Sequence, residues 1–147
     1  MTIYRERLWA SAWLYVAMAL VIPASLLVFL PINFIAGVVV AILLYASCIG
    51  ILILASPTIA VTDRMFSAGR ATLPLDLVGE VTTFREPEAT LERGRHLDAR
   101  AWLLIRGWVG PVVKIVVTDP DDPTPYWLVS TRHPETLSAA LVQARNA

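Results

Sequence analysis

Residues 8–30 read LWASAWLYVAMALVIPASLLVFL and residues 32–55 read INFIAGVVVAILLYASCIGILILA; no Asp, Glu, Lys or Arg falls between Arg7 and Asp63. At about 1.5 Å of rise per residue, each run is long enough as a helix to cross a hydrocarbon core of about 30 Å. Only a tight turn around Leu30-Pro31-Ile32-Asn33 separates them, so two such spans would run antiparallel as a hairpin. Pro23 removes one backbone donor inside the first run, which predicts a kink. The first run exceeds the apolar core of a cleaved signal peptide, about 7–15 residues, and no small-x-small site leads from it into a polar region. Leu44-Tyr45-Ala46-Ser47-Cys48 faintly resembles a lipoprotein processing site. It lies in mid-span, and Tyr45 stands where an aliphatic residue is wanted. Neither kind of processing is expected.

The rest of the composition agrees with a membrane segment followed by a water-facing one. Of 147 residues 56% are apolar, against about 45–50% in soluble domains, and mean hydropathy is +0.63. The excess sits in the two runs, and nearly all the charge lies outside them. Formal net charge is zero, so no nucleic-acid partner is expected from charge. Cys48 is the one cysteine, which excludes an intramolecular disulfide framework. Arg5 and Arg7 precede the hairpin, Arg64 and Arg70 follow it, and the turn is uncharged. The positive-inside rule then places both termini in the cytoplasm of a two-pass plasma-membrane protein. Tyr4, Trp9 and Trp13 are expected to form an interfacial aromatic belt. Gly37 and Gly50, with Ala36, Ala41, Ala46 and Ser47, allow close helix packing, either within the hairpin or between copies in a homo-oligomer.

Residues 1–56 are thus read as the hairpin and residues 57–147 as a soluble domain hinged at Ser56-Pro57. The domain pattern predicts strands over 58–62, 65–68, 70–73, 77–84, 101–105, 112–118 and 126–131, with Gly79 at a bulge. A short helix opens at Glu86-Pro87-Glu88 and ends at Gly94. A terminal helix starts at His133-Pro134-Glu135 and turns Leu137, Ala140, Leu141 and Ala144 to one side. The expected fold is a membrane α-helical hairpin plus a small β-rich (α+β) domain: about seven strands as a bent sheet or partial barrel, with a C-terminal helix.

Val61-Thr62-Asp63, Gly69-Arg70, Leu73-Pro74-Leu75 and Gly79-Glu80-Val81 resemble the opening strands of bacterial PH-like domains that follow paired membrane helices. The whole chain resembles an uncharacterised actinobacterial two-helix membrane-protein family, a domain of unknown function. The resemblance is carried by Tyr4 to Trp9, by Leu97-Asp98-Ala99-Arg100-Ala101, and by Thr118-Asp119-Pro120 with Asp122 to Arg132. It implies the architecture and carries no activity.

Candidate sites are few. Asp119, Asp121 and Asp122 cluster, but Pro120, Pro123 and Pro125 stiffen a loop that lacks the glycine bend and ligand count of a calcium site. His96 and His133 lack the further ligands of a zinc site. No phosphate-loop or nucleophile-elbow motif is present, and no cofactor is expected. Along 126–131 Trp127 and Tyr126 alternate, so one aromatic is expected in the core and the other at a contact surface. Arg93, Arg95, Arg100 and Arg106 form a basic stretch suited to anionic headgroups, although Glu86, Glu88, Glu92 and Asp98 nearly neutralise it. Arg132 would pair with a phosphate or carboxylate, or with a neighbouring Asp. Possible lipid or partner contacts are therefore Arg93, Arg95, Arg100, Arg106, Trp108, Trp127 and Arg132. The expectation is a membrane-anchored, non-enzymatic adaptor with a membrane-protein partner not identified by sequence. The alternatives are an anionic-headgroup-binding module and a small membrane-associated enzyme.

Overall fold

The computed structural model describes residues 1–146 and divides into two compact units. One is Trp9–Ser56; the other joins Met1–Leu8 to the chain from Pro57 onward.

The apolar unit holds α1 (Ala12–Ala19), α2 (Val21–Phe29) and α3 (Phe34–Leu54). The kink expected from Pro23 is a break between α1 and α2 at Leu20. Pro23 has no N–H to offer the Ala19 carbonyl, and the Leu20 N–H turns back to Ala17. Taken together, 12–29 and 34–54 are two helical stretches with mean hydropathy 2.2 and 2.7. They reach roughly 27 and 32 Å, enough to span a bilayer. Only Ser25 is buried in the first stretch, and only Gly37, Ala41 and Leu52 in the second, whereas the core helix of a soluble protein would be mostly covered. Asn33 caps α3 by accepting the Ala36 N–H at 3.1 Å. Gly37 lets α2 and α3 approach, because a Cβ there would lie 3.0 Å from that of Phe29. Gly37 thus serves packing inside the hairpin.

In the second unit, β1 (Thr2–Arg7), β2 (Thr58–Thr62), β3 (Met65–Ala68) and β4 (Ala71–Pro74) form an antiparallel sheet in that order. A 3-10 turn over Leu75–Leu77 leads to β5 (Val78–Phe84). The second sheet is ordered β5-β7-β8-β6, with β6 (Trp102–Leu104), β7 (Val112–Val117) and β8 (Tyr126–Ser130); β6 runs parallel to β8. Helix α4 covers Glu88–Arg93, starting one residue after Pro87, which the sequence reading placed at the first helical position, and α5 covers Pro134–Arg145. The predicted strands are all present within a residue or so of their expected ends.

Strand β1 was not expected. Its Arg7 pairs with Thr58, and the Leu8 N–H donates to the Pro57 carbonyl at 2.9 Å. Residues 1–8 therefore belong with the β unit, and the division at residue 56 is corrected accordingly. Tyr4 is not a belt residue either: it lies half-buried in β1 and packs against the main core.

That core gathers Leu8, Ile59, Phe66, Ile115, Trp127 and Val129 from the two sheets with Leu137 and Leu141 of α5. The expected apolar side of α5 is its buried side. A second cluster of Ala89, Val112, Tyr126 and Leu128 lies on the other face of the second sheet, beneath α4 and the 97–105 segment.

The β5–β7 register shifts between Val78 and Val81, so Gly79 does mark an irregularity. A Cβ at Gly79 would stand 2.9 Å from Thr118 Cγ2 and 3.2 Å from the Val116 carbonyl oxygen. The carbonyl belongs to a paired strand and cannot easily give way. Gly79→Val is expected to cost about 1–3 kcal/mol by overpacking, read as a lowered thermal unfolding midpoint. A midpoint unchanged from the parent chain would show that the close approach is absent.

Candidate functional site

Both aromatics of β8 are interior, which corrects the expectation that one of them faces a partner. Trp127 is 6% and Tyr126 7% exposed. The Trp127 ring lies 4.4 Å from Trp102 and 5.9 Å from Phe66 between centroids. Tyr126 looks toward the second cluster; its hydroxyl accepts the Asp98 N–H at 2.8 Å. Two-sided burial follows from α4 and the segment before β6, which close over the face that the alternation left open.

The four arginines 93, 95, 100 and 106 are not brought to one place, although Arg93 and Arg106 both border the 106–109 turn. Arg93 pairs with Glu86 and donates to the Val109 carbonyl at 3.3 Å. Arg95 is exposed after α4. Arg100 holds Asp98 through two side-chain bonds of 3.0 and 3.2 Å, which keeps the Asp98 carboxyl below the usual carboxylate range. Arg100 precedes β6 and thus sits at the Tyr126 end of the parallel β8. Arg106 lies at the other end, where its backbone N–H donates to Ser130 Oγ at 3.1 Å.

A mixed polar group occupies the outer face of the second sheet. Glu92, 8% exposed, receives Lys114 Nζ at 3.0 Å on one oxygen and meets His96 Nδ1 at 2.9 Å on the other. The Lys114 ammonium stands 4.4 Å from the Tyr126 ring centroid. Burial alone would raise the Glu92 pKa, but the bonds from Lys114 and His96 together outweigh it and the net shift is downward. A carboxylate with a depressed folded pKa stabilises the fold above its unfolded value. That contribution is lost as pH falls through the folded pKa, below about 4.5. Lys114→Met leaves Glu92 with one partner and is expected to cost about 1–3 kcal/mol at neutral pH. The acid unfolding midpoint should move up as well. A neutral-pH stability equal to the parent's would mean that the pair is solvated.

Further polar groups meet at the end of the unit where the chain leaves and re-enters it. The Glu6 carboxylate of β1 accepts the Tyr4 hydroxyl at 2.8 Å, the Thr131 hydroxyl at 2.5 Å and the Arg132 N–H at 3.0 Å. Burial first, and then the Glu6 carboxylate, push the Tyr4 phenol up to about 12. Trp108 is half-buried and its indole N–H donates to the Leu8 carbonyl at 3.2 Å. Among the described residues there is no group of three or more His, Cys, Asp or Glu placed to hold a metal ion. A groove of about 250 Å³ lies between α2 and α3 of the apolar unit; Leu26, Ala41, Ile42 and Tyr45 are among its lining residues.

A family model matches residues 3–141, from the second residue of β1 into α5. The chain belongs to that family, described as protein of unknown function (DUF3093). No curated protein and no solved structure matches it. The DUF3093 match takes in both units, with β1 included, and brings no assigned activity or site residue.

Of the seven contact candidates, Arg106, Trp108 and Arg132 gather at the Leu8 end of the unit, tied to Ser130, Leu8 and Glu6 respectively. Trp127 is core, and Arg93 and Arg100 are held by Glu86 and Asp98. Glu6 was missed because its role depends on Thr131 and Arg132, more than 120 residues away. Its one local sign is alternation with Tyr4 and Leu8 in the β1 stretch.

Proposed function

We propose that this DUF3093 chain is a membrane-anchored, non-enzymatic adaptor. Its helical hairpin would sit in the plasma membrane of an actinobacterial cell, with the β unit presented at the cytoplasmic face as a PH-like domain. The observation that carries this reading is the pairing of β1 with β2. The two strands that flank the hairpin are neighbours in one sheet. A hairpin of two spans returns the chain to the side it left, and the β unit needs both strands on that side to fold. This supports a two-pass topology with both termini together, and Arg5, Arg7, Arg64 and Arg70 favour the cytoplasm. Two four-stranded sheets with an amphipathic C-terminal helix in their core support the PH-like reading.

An adaptor is favoured over a small enzyme by how the β unit uses its charges. Arg85 with Glu135, Arg93 with Glu86, Arg100 with Asp98 and Lys114 with Glu92 are internal pairs. The described groove lies between α2 and α3, outside the β unit, and is lined by apolar residues and Tyr45. A headgroup-binding module built on Arg93, Arg95, Arg100 and Arg106 has less support, since Arg93 and Arg100 are paired with Glu86 and Asp98 and Arg100 lies at the opposite end of β8 from Arg106.

The test is cross-linking with mass spectrometry on the intact protein in its native membrane, beside a sample with Arg→Glu changes at 93, 95, 100 and 106. A discrete protein partner, or a second copy of the chain, that survives the charge changes is the expected result. Recovery of lipid alone, lost on charge reversal, would replace the adaptor with the headgroup-binding module.

A further inference from the structure

The end of the β unit that holds Leu8 and Pro57 carries a basic rim that no one sequence segment displays. Strands β1 and β2 end there at Leu8 and Pro57. The β3–β4 turn folds against the same place: the Gly69 N–H donates to the Thr58 carbonyl at 2.9 Å. A Cβ on Gly69 would lie 3.6 Å from Pro57 Cβ and 3.4 Å from Leu104 Cδ1. Gly69 has φ of +65°, the left-handed region that glycine enters at least cost, and this turns the exposed Arg70 outward at the tip. The loop after β6 closes the third side. Arg106 is held there by its backbone N–H on Ser130 Oγ and by its guanidinium on the Ile105 carbonyl at 2.8 Å, and Trp108 by the Leu8 carbonyl. Leu103, beside Leu104, is 41% exposed. Arg7, opposite Thr58, and Arg132, whose N–H reaches Glu6, flank the same end. Two acids border this end: Glu6 accepts three hydrogen bonds from within the unit, and Glu86, whose carboxylate would lie 3.8 Å from a Cβ on Gly110, is paired with Arg93.

We infer that this rim, with Arg70, Arg106 and Trp108 at its centre, is a docking surface for the anionic lipid headgroups of the bilayer that holds the hairpin. The inference rests on the reading of the hairpin as membrane-spanning. It replaces the arginines chosen from sequence by a set chosen by position. The occupant follows from chemistry and connectivity. Guanidinium groups match phosphate oxygens, a half-exposed indole suits the boundary between hydrocarbon and water, and Leu8 and Pro57 are the residues of this unit joined directly to the apolar one. Headgroup contact would hold the β unit flat on the surface and so fix which of its faces a partner can reach.

The test uses the full-length chain in nanodiscs of phosphatidylcholine alone or with phosphatidylglycerol, read by hydrogen-exchange mass spectrometry. Slower exchange over residues 69–72 and 105–110 in the anionic discs is expected. Arg70→Glu with Arg106→Glu should remove that slowing, by about five-fold for each arginine, the equivalent of about 1 kcal/mol per basic residue near an anionic leaflet. Arg70→Gln, a milder change in an exposed turn, should remove part of it, and added salt should weaken it. Arg100→Glu, at the opposite end of β8, should leave it in place. Equal exchange in the two kinds of disc, from a chain that is inserted in both, overturns the inference and leaves the hairpin reading standing. Loss of the slowing in Arg100→Glu to the same degree as in the rim variants also overturns it. Failure of the chain to enter either disc overturns both together.

Discussion

Trp127→Ala is expected to lower the stability of the β unit by about 3–5 kcal/mol, the usual loss when a large buried aromatic is truncated. The size follows from where the side chain lies. Trp127 is 6% exposed at the middle of the sheet order β7-β8-β6 and touches the rings of both Trp102 and Phe66. Its loss therefore opens a cavity between the two sheets, and Val129 and Ile115 cannot fill it without moving paired backbone. For a unit of about a hundred residues, a change of this size moves the thermal midpoint by more than about 10 °C. Pulse proteolysis of the full chain in detergent, followed over temperature, would read it. Trp13→Ala serves as the comparison, because Trp13 is 72% exposed in α1 and should leave the β-unit transition unchanged. A loss below about 1 kcal/mol for Trp127→Ala would place the ring at a surface, where a partner could bind it, and the contact role first read for this residue would return.

The contrast between Trp127 and Glu6 shows which parts of this fold are local. The two apolar runs are legible because length and charge exclusion are properties of a continuous stretch, and the break at Leu20 follows from one proline. Strands β2 to β8 are legible because β-branched runs are punctuated by Gly69, Pro74 and the prolines of 120–125. The α5 face is legible because Leu137, Ala140, Leu141 and Ala144 recur at helical spacing. Burial on both faces of β8 is not. Alternation shows two faces but not what covers them, and the cover comes from α4 and the residues before β6. Strand β1 is not legible for a related reason. Arg5, Glu6 and Arg7 read naturally as a charged flank of a membrane helix, and the partner strand lies beyond the whole hairpin. The rim of Arg70, Arg106 and Trp108 is likewise an effect of topology. A parallel β6–β8 pair sends Arg106 to one end of the unit and Arg100 to the other, although six positions separate them in sequence.

Glu6→Ala is the change that tests the role of β1 most directly, and its expected cost is about 2–4 kcal/mol. The carboxylate accepts three hydrogen bonds, and two of the donors, the Thr131 hydroxyl and the Arg132 N–H, lie where β8 turns toward α5. Thr131 is 0% exposed, so its hydroxyl has no water to take over. A buried donor left without its acceptor costs about 1–3 kcal/mol, and the bonds lost here are to a charged group. Thr131→Val combined with Glu6→Ala removes the stranded hydroxyl, but also the oxygen that accepts the His133 N–H at 3.1 Å, so it should recover only part of the loss; the shortfall from additivity measures their coupling. Exchange of the β2 amides should quicken in Glu6→Ala, because β1 would then be held to the unit through its ladder with β2 and the Trp108 bond to Leu8. If Glu6→Ala costs less than about 0.5 kcal/mol and β2 exchange is unchanged, β1 is a loose edge. The hairpin would then be rooted in the β unit through β2 alone, and the argument that places both termini on one side would rest on arginine counts.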